Sequence, residues 1–249
     1  MSRFLLLLFL VLPFENFSQD IKSLLLEAQE QESAFKENEA FLKYTEILRI
    51  QPSNMFALCK CSELCSRIGN RQTEKSKKTD YFKAARTYAE AALRVNPNNS
   101  EANFVMAFAM GRLSLMSSGK EKIVAARDIK YYADISIKAD PGNYKPYHVL
   151  GKWNYEVSDL NSFERTLAKL FFGGLPKASL KNSIIYFEKS RTLNPSFVLN
   201  YLELARAYRR SDQKNKSIEL LNKMLTLPNI LIDDSRAKKL GRQLLSELQ

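Results

Sequence analysis

The sequence predicts an all-α fold, a tetratricopeptide-like right-handed superhelical array of about five helix pairs, with a helical insertion in the fourth pair and a C-terminal capping helix at about residues 233–248. One observation is a repeated phrase in which an apolar helical run is followed by a polar residue and a proline. It occurs at Pro52, Pro97, Pro141 and Pro195, with a weaker fifth at Pro228. Proline ends a helix and can stand near the start of the next, so each phrase marks a turn between helices.

The second observation is the helix-turn-helix signature W-x2-L-G-x2-Y, A-x3-F and P inside the units. Late in the chain Tyr201, Leu204, Ala205 and Tyr208 hold the first four places, and Ser217 holds the A place. Matching residues in the other units are Tyr147, Leu150, Gly151 and Asn154, Ala85 and Ala89, Ala40 and Tyr44, Ser183 and Phe187, and Cys61 and Cys65. Small residues let neighbouring helices approach and large ones fill the space between pairs, so stacked pairs share one core.

The N-terminus predicts a secretory signal peptide over residues 1–18, followed by a repeat domain over 19–249. Arg3 precedes an apolar run at residues 4–14, which is too short to span a bilayer of about 30 Å. Ser18 is the predicted last residue of the leader. The alternatives are an uncleaved anchor and a buried N-terminal helix. A cleaved leader predicts a secreted or periplasmic protein, with a position peripheral to a membrane as a further option.

The spacing of the prolines predicts the insertion at about residues 159–178. Successive intervals are 45, 44, 54 and 33 residues, whereas a plain unit takes about 34. We expect an added helix from Phe163 to Phe172, with apolar places at Phe163, Leu167, Leu170 and Phe171. Gly173-Gly174 should end it, and Ser179 should cap the next helix. The stretch lacks the G-x-x-x-x-G-K-[ST] spacing that a phosphate-binding loop requires.

Catalytic and metal-binding patterns are missing from the sequence, which predicts a non-enzymatic protein with no cofactor and no metal. Cys59, Cys61 and Cys65 fall on one predicted helix, and an odd number of cysteines at that spacing gives no disulfide framework. His148 is the only histidine, so the usual residues of a zinc site or a catalytic triad are lacking. We expect the cysteines to pack in the core and His148 to be neutral and hydrogen-bonded.

Longer stretches of the chain resemble the regulator of microtubule dynamics family. The similarity lies in "YFKAARTYAEAALRVNP", "HVLGKWNYEVSDL" and "RTLAKLFFGGLPKASLKNSIIYFEKSRTLNP", and in an insertion that in this family reads Leu-Phe-Gly and then Pro-x-x-Ser/Thr. The matching residues here are Leu170, Phe172, Gly173, Pro176 and Ser179. The resemblance covers roughly residues 20–245 and implies an all-helical, non-enzymatic binding domain.

The family resemblance also implies partners. Eukaryotic members are tied to microtubules and to mitochondrial or endoplasmic-reticulum membranes, and one is linked to phospholipid binding. In this chain the predicted leader favours a compartment without microtubules, and the lysine- and asparagine-rich composition is typical of an envelope protein of a Gram-negative bacterium. The alternative function is a phospholipid-binding or membrane-contact module, with Phe171, Phe172 and Leu175 as the predicted lipid contacts.

The first helices of the pairs predict the ligand groove, because first helices line the concave side of such an array. The predicted ligand residues are Lys60, Phe104, Phe108, Arg112, Lys145, His148, Lys152, Tyr155, Arg206 and Arg209. The chain carries a formal net charge of +11, and cations interleaved with aromatic rings suit an extended acidic ligand. We expect a protein or acidic peptide as partner, or else anionic phospholipid, and no nucleic acid because no binding motif accompanies the charge. The competing interpretation is a solvated charged face.

Overall fold

The computed structural model describes residues 15–249, with the side chains of 15–19, Phe163, Glu164, Leu167, Phe171 and Phe172 outside the described residues. Twelve helices occur in the described range. They are α1 (Glu15–Ser33), α2 (Glu37–Ile50), α3 (Met55–Arg71), α4 (Lys75–Val95), α5 (Ser100–Ser114), α6 (Gly119–Ala139), α7 (Tyr144–Val157), α8 (Ser162–Phe172), α9 (Leu180–Leu193), α10 (Val198–Arg210), α11 (Lys214–Thr226) and α12 (Asp234–Leu248).

The helices pack in successive pairs, α1 with α2, α3 with α4, α5 with α6, α7 with α9 and α10 with α11. The first helices α3, α5, α7 and α10 also contact one another in that order. Helix α8 is an addition inside the fourth pair, and α12 packs on α10 and α11 at the C-terminal end. The predicted all-helical, tetratricopeptide-like fold is confirmed.

Three of the prolines are each followed, two residues later, by an asparagine, and this asparagine explains why the turns recur. Asn54, Asn99 and Asn143 are the N-caps of α3, α5 and α7. Their side-chain oxygens accept backbone N–H groups at 3.0, 2.9 and 3.1 Å, which satisfies a donor that the first turn leaves free. Ser179 caps α9 in the same way, as predicted, at 3.1 Å from the amide of Asn182. The first helices therefore begin at equivalent points and keep their side chains in register.

The small residues of the repeat signature lie in the core. Ala40, Ala85, Ala89 and Ser183 have no exposed surface. The hydroxyl of Ser183 donates to the backbone oxygen of Gly151 at 2.8 Å. Helix α9 therefore packs directly on α7, although α8 separates the two in sequence.

The cysteines are core residues, as their places in the signature predict. Cys59, Cys61 and Cys65 are free and at most 3% exposed. Burial raises the pKa of Cys59 and that of Cys65 to about 12, because the thiolate would lose its hydration. The thiols are protonated at neutral pH, and the described residues contain no cluster of three or more side chains that could hold a metal ion.

The inserted helix α8 ends at the glycine pair. Gly173 and Gly174 have φ angles of 68° and 102°, which glycine adopts far more readily than other residues. Their amides donate to the backbone oxygens of Lys169 and Ala168 at 3.2 and 2.9 Å. The prediction that Leu170 occupies an apolar place is wrong, since it is 72% exposed. Helix α8 packs on α6 and buries Ala168 instead.

The N-terminal prediction concerns residues that lie largely outside the described range. Residues 1–14 are not described, and α1 begins at Glu15. The signal peptide and its cleavage after Ser18 therefore stay predictions. In the part of the chain that the structure describes, no helix combines the length and the apolar character needed to cross a membrane.

Candidate ligand-binding face

The first helices place the predicted ligand residues on one surface. We define the first-helix face as the surface that carries Lys60 on α3, Phe104, Phe108 and Arg112 on α5, Lys145, His148, Lys152 and Tyr155 on α7, and Arg206 and Arg209 on α10. Lys145 reaches Glu63 of α3, with Nζ 3.1 Å from Oε2, although α5 lies between these two helices in the array. This bond passes over the intervening helix and links α7 to α3 on this side of the array.

Lys145 joins three first helices. Besides Glu63, its Nζ lies 2.5 Å from Oε1 of Glu101 on α5 and 4.9 Å from the centre of the Phe104 ring. Burial alone would lower the pKa of Lys145, but the two carboxylates raise it well above its usual range. Burial alone would raise the pKa of Glu63, whereas Lys145 and the other nearby cations lower it to about 2. Both groups are charged at neutral pH.

A second ionic cluster surrounds Arg67 of α3. Its guanidinium contacts Glu32 of α1 at 3.3 Å, Glu37 of α2 at 3.0 Å and Glu63 of its own helix at 3.2 Å. Lys60 bonds to Glu32 at 3.0 Å. Glu32 and Glu37 are not among the residues predicted from the sequence, although the chain is rich in glutamate around the first turn. Glu32 thus neutralises Lys60, which the sequence assigned to a ligand.

The C-terminal half of the first-helix face is also ion-paired. Lys152 lies 2.9 Å from Glu203 of α10, and its Nζ is 5.3 Å from the centre of the Tyr155 ring. Arg206 bonds to the other oxygen of Glu203 at 2.7 Å. Arg209 bonds to Glu247 of α12 at 2.8 Å. Each of these predicted ligand cations already has a carboxylate partner in the chain.

The connector between α11 and α12 returns to the first-helix face. Oδ2 of Asp233 lies 2.9 Å from Nη1 of Arg71, 162 residues earlier in the chain. Arg71 also pairs with Glu37. This contact is not predictable from the sequence, because nothing local indicates a bond between the second pair and the last connector. It brings a further carboxylate to the edge of the face.

An aromatic pair lies between these ionic clusters. The rings of Phe104 and Phe108 stack at 5.7 Å with an angle of 13°. The guanidinium carbon of Arg112 lies 4.8 Å from the centre of the Phe108 ring, and Nη1 donates to the side-chain oxygen of Asn70 at 3.3 Å. Burial lowers the pKa of Arg112 to about 10, and the group is still protonated at neutral pH.

His148 is a packing residue of the face. Its Nδ1 lies 2.9 Å from the side-chain oxygen of Asn200, whose amide nitrogen donates to the backbone oxygen of Phe187 at 2.9 Å. Asn200 therefore presents an acceptor, and Nδ1 of His148 carries the donated hydrogen. The ring also contacts Phe187 and Phe197 at centre distances of 5.4 and 4.8 Å. Burial lowers the pKa of His148 to about 4, so the imidazole is neutral at physiological pH.

Lowering the pH from about 7.5 to about 5 should remove about 2 kcal/mol of the free energy of unfolding through His148. Because its folded-state pKa lies below the usual value of 6.5, the unfolded chain takes up the proton first. The stabilisation is complete above about pH 6.5 and is lost as the pH falls towards 4. Urea denaturation at both pH values should show a loss about 2 kcal/mol smaller in His148→Gln than in the wild type. Equal losses would contradict this assignment.

The predicted lipid contacts are only partly described. The side chains of Phe171 and Phe172 lie outside the described residues. Leu175 is half-buried and packs against the core of the middle pairs. Two cavities lie away from the first-helix face, one of about 330 Å³ between α4, α5 and α6 and one of about 290 Å³ between α9, α10 and α11. Neither is lined by a predicted ligand residue.

Comparison with known proteins identifies the family. The profile described as Regulator of microtubule dynamics protein 1-3 matches residues 24–249. The chain belongs to this family. The match agrees closely with the extent of the resemblance seen in the sequence, and it includes all twelve helices except the first turns of α1.

Curated relatives are similar over most of this chain. Regulator of microtubule dynamics protein 2 of Macaca fascicularis is 27% identical over 178 residues, which are 71% of this chain and 43% of that protein. Regulator of microtubule dynamics protein 1 of Caenorhabditis elegans is 24% identical over 183 residues, 73% of this chain and 79% of that protein. The chain thus spans less than half of the macaque relative.

A solved structure supports the fold independently. A tetratricopeptide-repeat protein of Thermus thermophilus matches with a TM-score of 0.65, covering 92% of this chain and 98% of that chain at 10% sequence identity. At this identity the likeness shows the fold alone. The protein is therefore a tetratricopeptide-like helical scaffold of the regulator of microtubule dynamics family.

Proposed function

We propose that this protein is a non-enzymatic scaffold that holds an acidic segment of a protein partner on its concave first-helix face, outside the cytoplasm. The observation that carries the proposal is the recurrence of a cation over an aromatic ring on successive first helices. The pairs are Lys60 with Phe56 at 5.7 Å, Lys145 with Phe104 at 4.9 Å, Arg112 with Phe108 at 4.8 Å and Lys152 with Tyr155 at 5.3 Å.

A surface on which cations alternate with aromatic rings suits a peptide with alternating acidic and apolar residues. A carboxylate can bond to the cation while the neighbouring apolar group lies on the ring. Phe104 is only 5% exposed, so the rings open to a ligand are those of Phe56, Phe108 and Tyr155. The rigid stacking of the first helices keeps these cation–ring pairs at fixed distances. Binding should therefore restrict the conformation of the ligand more than that of the protein. The net charge of +11 would add attraction at long range. Export rests on the predicted leader at residues 1–18.

The chemistry of the reactive side chains supports a binding role over a catalytic one. The cysteine thiols are buried and protonated, which removes the nucleophilic thiolate. His148 uses Nδ1 in a bond to an amide oxygen and packs between two phenylalanine rings, an environment that orients no nucleophile. The names of the relatives assign regulation of microtubule dynamics to those proteins. This chain spans only part of the mammalian ones, so the proposal does not include that role.

A fluorescent peptide of alternating glutamate and leucine tests the proposal. It should bind the full chain, weaken with added salt, and bind more tightly than the same peptide with glutamine in place of glutamate. Lys152→Gln should lower its affinity by roughly three- to tenfold, because Glu203 and Glu156 take two of the three ammonium N–H donors and the third is left for the peptide. Anisotropy titration measures both effects.

The matched control is Lys216→Gln. Lys216 of α11 also lies over an aromatic ring, Tyr208, at 5.1 Å, but α11 is a second helix and does not contribute to the first-helix face. This variant should bind the acidic peptide like the wild type. Equal affinity for the glutamate and glutamine peptides, or equal loss in both variants, would contradict the proposal. Binding to anionic vesicles without binding to the peptide would favour a lipid ligand instead.

A further inference from the structure

Three arginines occupy the same place in three first helices, thirteen residues after the N-cap, yet only two of them have carboxylate partners. Arg67 of α3 contacts three glutamates, and Arg210 of α10 lies 2.7 Å from Asp159. Arg112 of α5 has no carboxylate of the described residues within 4.0 Å. Every other cation among the predicted ligand residues bonds to a carboxylate, so Arg112 stands apart.

The reason lies one turn earlier in the helix. In α3 the residue four places before the arginine is Glu63, which bonds to Arg67 at 3.2 Å. In α5 the equivalent residue is Phe108, so the guanidinium of Arg112 lies over a ring where Arg67 meets a carboxylate. Its Nε is inaccessible to solvent and has no hydrogen-bond partner among the described residues.

We propose that Arg112 is the anchor of the first-helix face and binds one carboxylate of the acidic segment. An arginine offers two parallel N–H donors that match the two oxygens of a carboxylate, and Phe108 holds the guanidinium plane in place. The buried N–H of Nε has lost its water without a replacement, so the guanidinium is poorly compensated in the free protein, and an anion at its terminal nitrogens would relieve part of that cost. This inference rests on the proposed function, since it names the contact that selects the acidic segment.

The surrounding charges favour a singly charged anion. The negative charges of Asp233 and Glu203 act on Arg112 and raise its pKa. The positive charge of Arg236 acts in the opposite direction. A carboxylate adds one negative charge beside a cation that has no direct partner. A phosphate dianion would add a second charge facing Asp233 and Glu203, and the repulsion would cost affinity. The site therefore suits an aspartate, a glutamate or a chain-terminal carboxylate better than a phosphate group.

Nitrogen-15 spectra of the arginine Nε–H groups test the site directly, with acetate as the probe. The signal of Arg112, identified by its absence in Arg112→Lys, should shift saturably with acetate, and inorganic phosphate should bind more weakly. The signal of Arg67 should not move, because its carboxylates are already in place. No saturable shift at Arg112, or tighter binding of phosphate than of acetate, would overturn the assignment.

Peptide affinity is the second test. Arg112→Gln should weaken binding of the glutamate-leucine peptide by about ten- to hundredfold, whereas Arg210→Gln should change it by less than about threefold because Asp159 already occupies that guanidinium. If the wild type does not distinguish the glutamate from the glutamine peptide, the proposed function fails, and the acetate titration still decides whether Arg112 binds a carboxylate. If the wild type does distinguish them and Arg112→Gln binds equally well, the anchor assignment fails.

Stability without ligand separates a binding arginine from a structural one. An unpaired buried cation costs free energy in the free protein, so Arg112→Met should leave the urea midpoint unchanged or raise it. Arg67→Met, which changes the same position in the neighbouring pair, should lower the midpoint. A comparable loss in both variants would show that Arg112 has a structural role and would overturn the proposal.

Discussion

Replacing Arg67 with methionine should lower the free energy of unfolding by about 3–5 kcal/mol. The guanidinium is 9% exposed and meets carboxylates from three helices, Glu32, Glu37 and Glu63, at 3.0 to 3.3 Å. Each carboxylate also has another cation, but Arg67 is the one group that all three share. Its removal leaves three negative charges close together and largely shielded from water, where their repulsion is strong.

Urea denaturation followed by circular dichroism measures this loss, and an exposed ion pair gives the control. Arg86 bonds to Glu90 at 2.8 Å, and both side chains are more than a third exposed. Arg86→Met should therefore cost less than about 1 kcal/mol. Adding Glu37→Gln to Arg67→Met should recover part of the loss, since one buried negative charge is removed. Similar losses in the two methionine variants would mean that the cluster contributes no more than a surface pair.

The Arg67 cluster also determines how the first pair is attached. Glu32 and Glu37 lie in α1 and α2, whereas Arg67 lies in α3, so the cluster links two pairs through charge as well as through apolar packing. Loss of Arg67 should raise hydrogen exchange in α1 and α2 before it affects α10 and α11, because stacked pairs contact mainly their neighbours.

Helix boundaries were predictable because the residues that set them act locally. The inserted helix was expected at residues 163–172 and lies at Ser162–Phe172, and the capping helix was expected from about residue 233 and begins at Asp234. Proline, glycine and capping residues restrict their own backbone and that of close neighbours, so their effect can be read without the tertiary structure. The asparagine caps also act locally and were predictable in the same way.

The charge balance of the first-helix face was not predictable in the same way. The sequence placed Lys145 and Lys152 on one surface, but their partners come from other helices, as in the bond from Lys145 to Glu63 across 82 residues. Asp233 reaches Arg71 across 162 residues. Pairing over such distances depends on the curvature of the whole array, and no local pattern encodes it. The prediction for Leu170 was wrong for the same reason, because the helix that packs against α8 determines which side of α8 is buried.

Replacing Phe187 with alanine should lower the free energy of unfolding by about 3–5 kcal/mol. The ring has no exposed surface and rests against Gly151 of α7, where a built Cβ would lie 2.5 Å from Cδ1. The backbone oxygen of Phe187 also accepts from Asn200 at 2.9 Å. The residue thus fixes α9 against both α7 and α10, and the cavity left by alanine would lie between three helices.

A double-mutant cycle with Gly151→Ala tests whether this ring is the reason for the glycine. In the wild type the added methyl group should cost about 1–3 kcal/mol, because the buried ring cannot move aside. In Phe187→Ala it should be neutral or stabilising, since the methyl group enters the cavity and alanine favours the helix. The coupling between the two positions should therefore be at least about 1 kcal/mol, as expected for residues in contact.

Gly111 provides the matched control, because it is also a glycine within a first helix and a Cβ built there meets no atom within 4 Å. Gly111→Ala should stabilise the protein by up to about 1 kcal/mol in either background. If Gly151→Ala costs the same with and without the Phe187 ring, steric contact is not what selects glycine there. If the cost disappears with the ring, the close approach of α9 to α7 explains why the repeat signature has a small residue at Gly151. The same Phe187 ring contacts His148 and helps to hold it on the first-helix face.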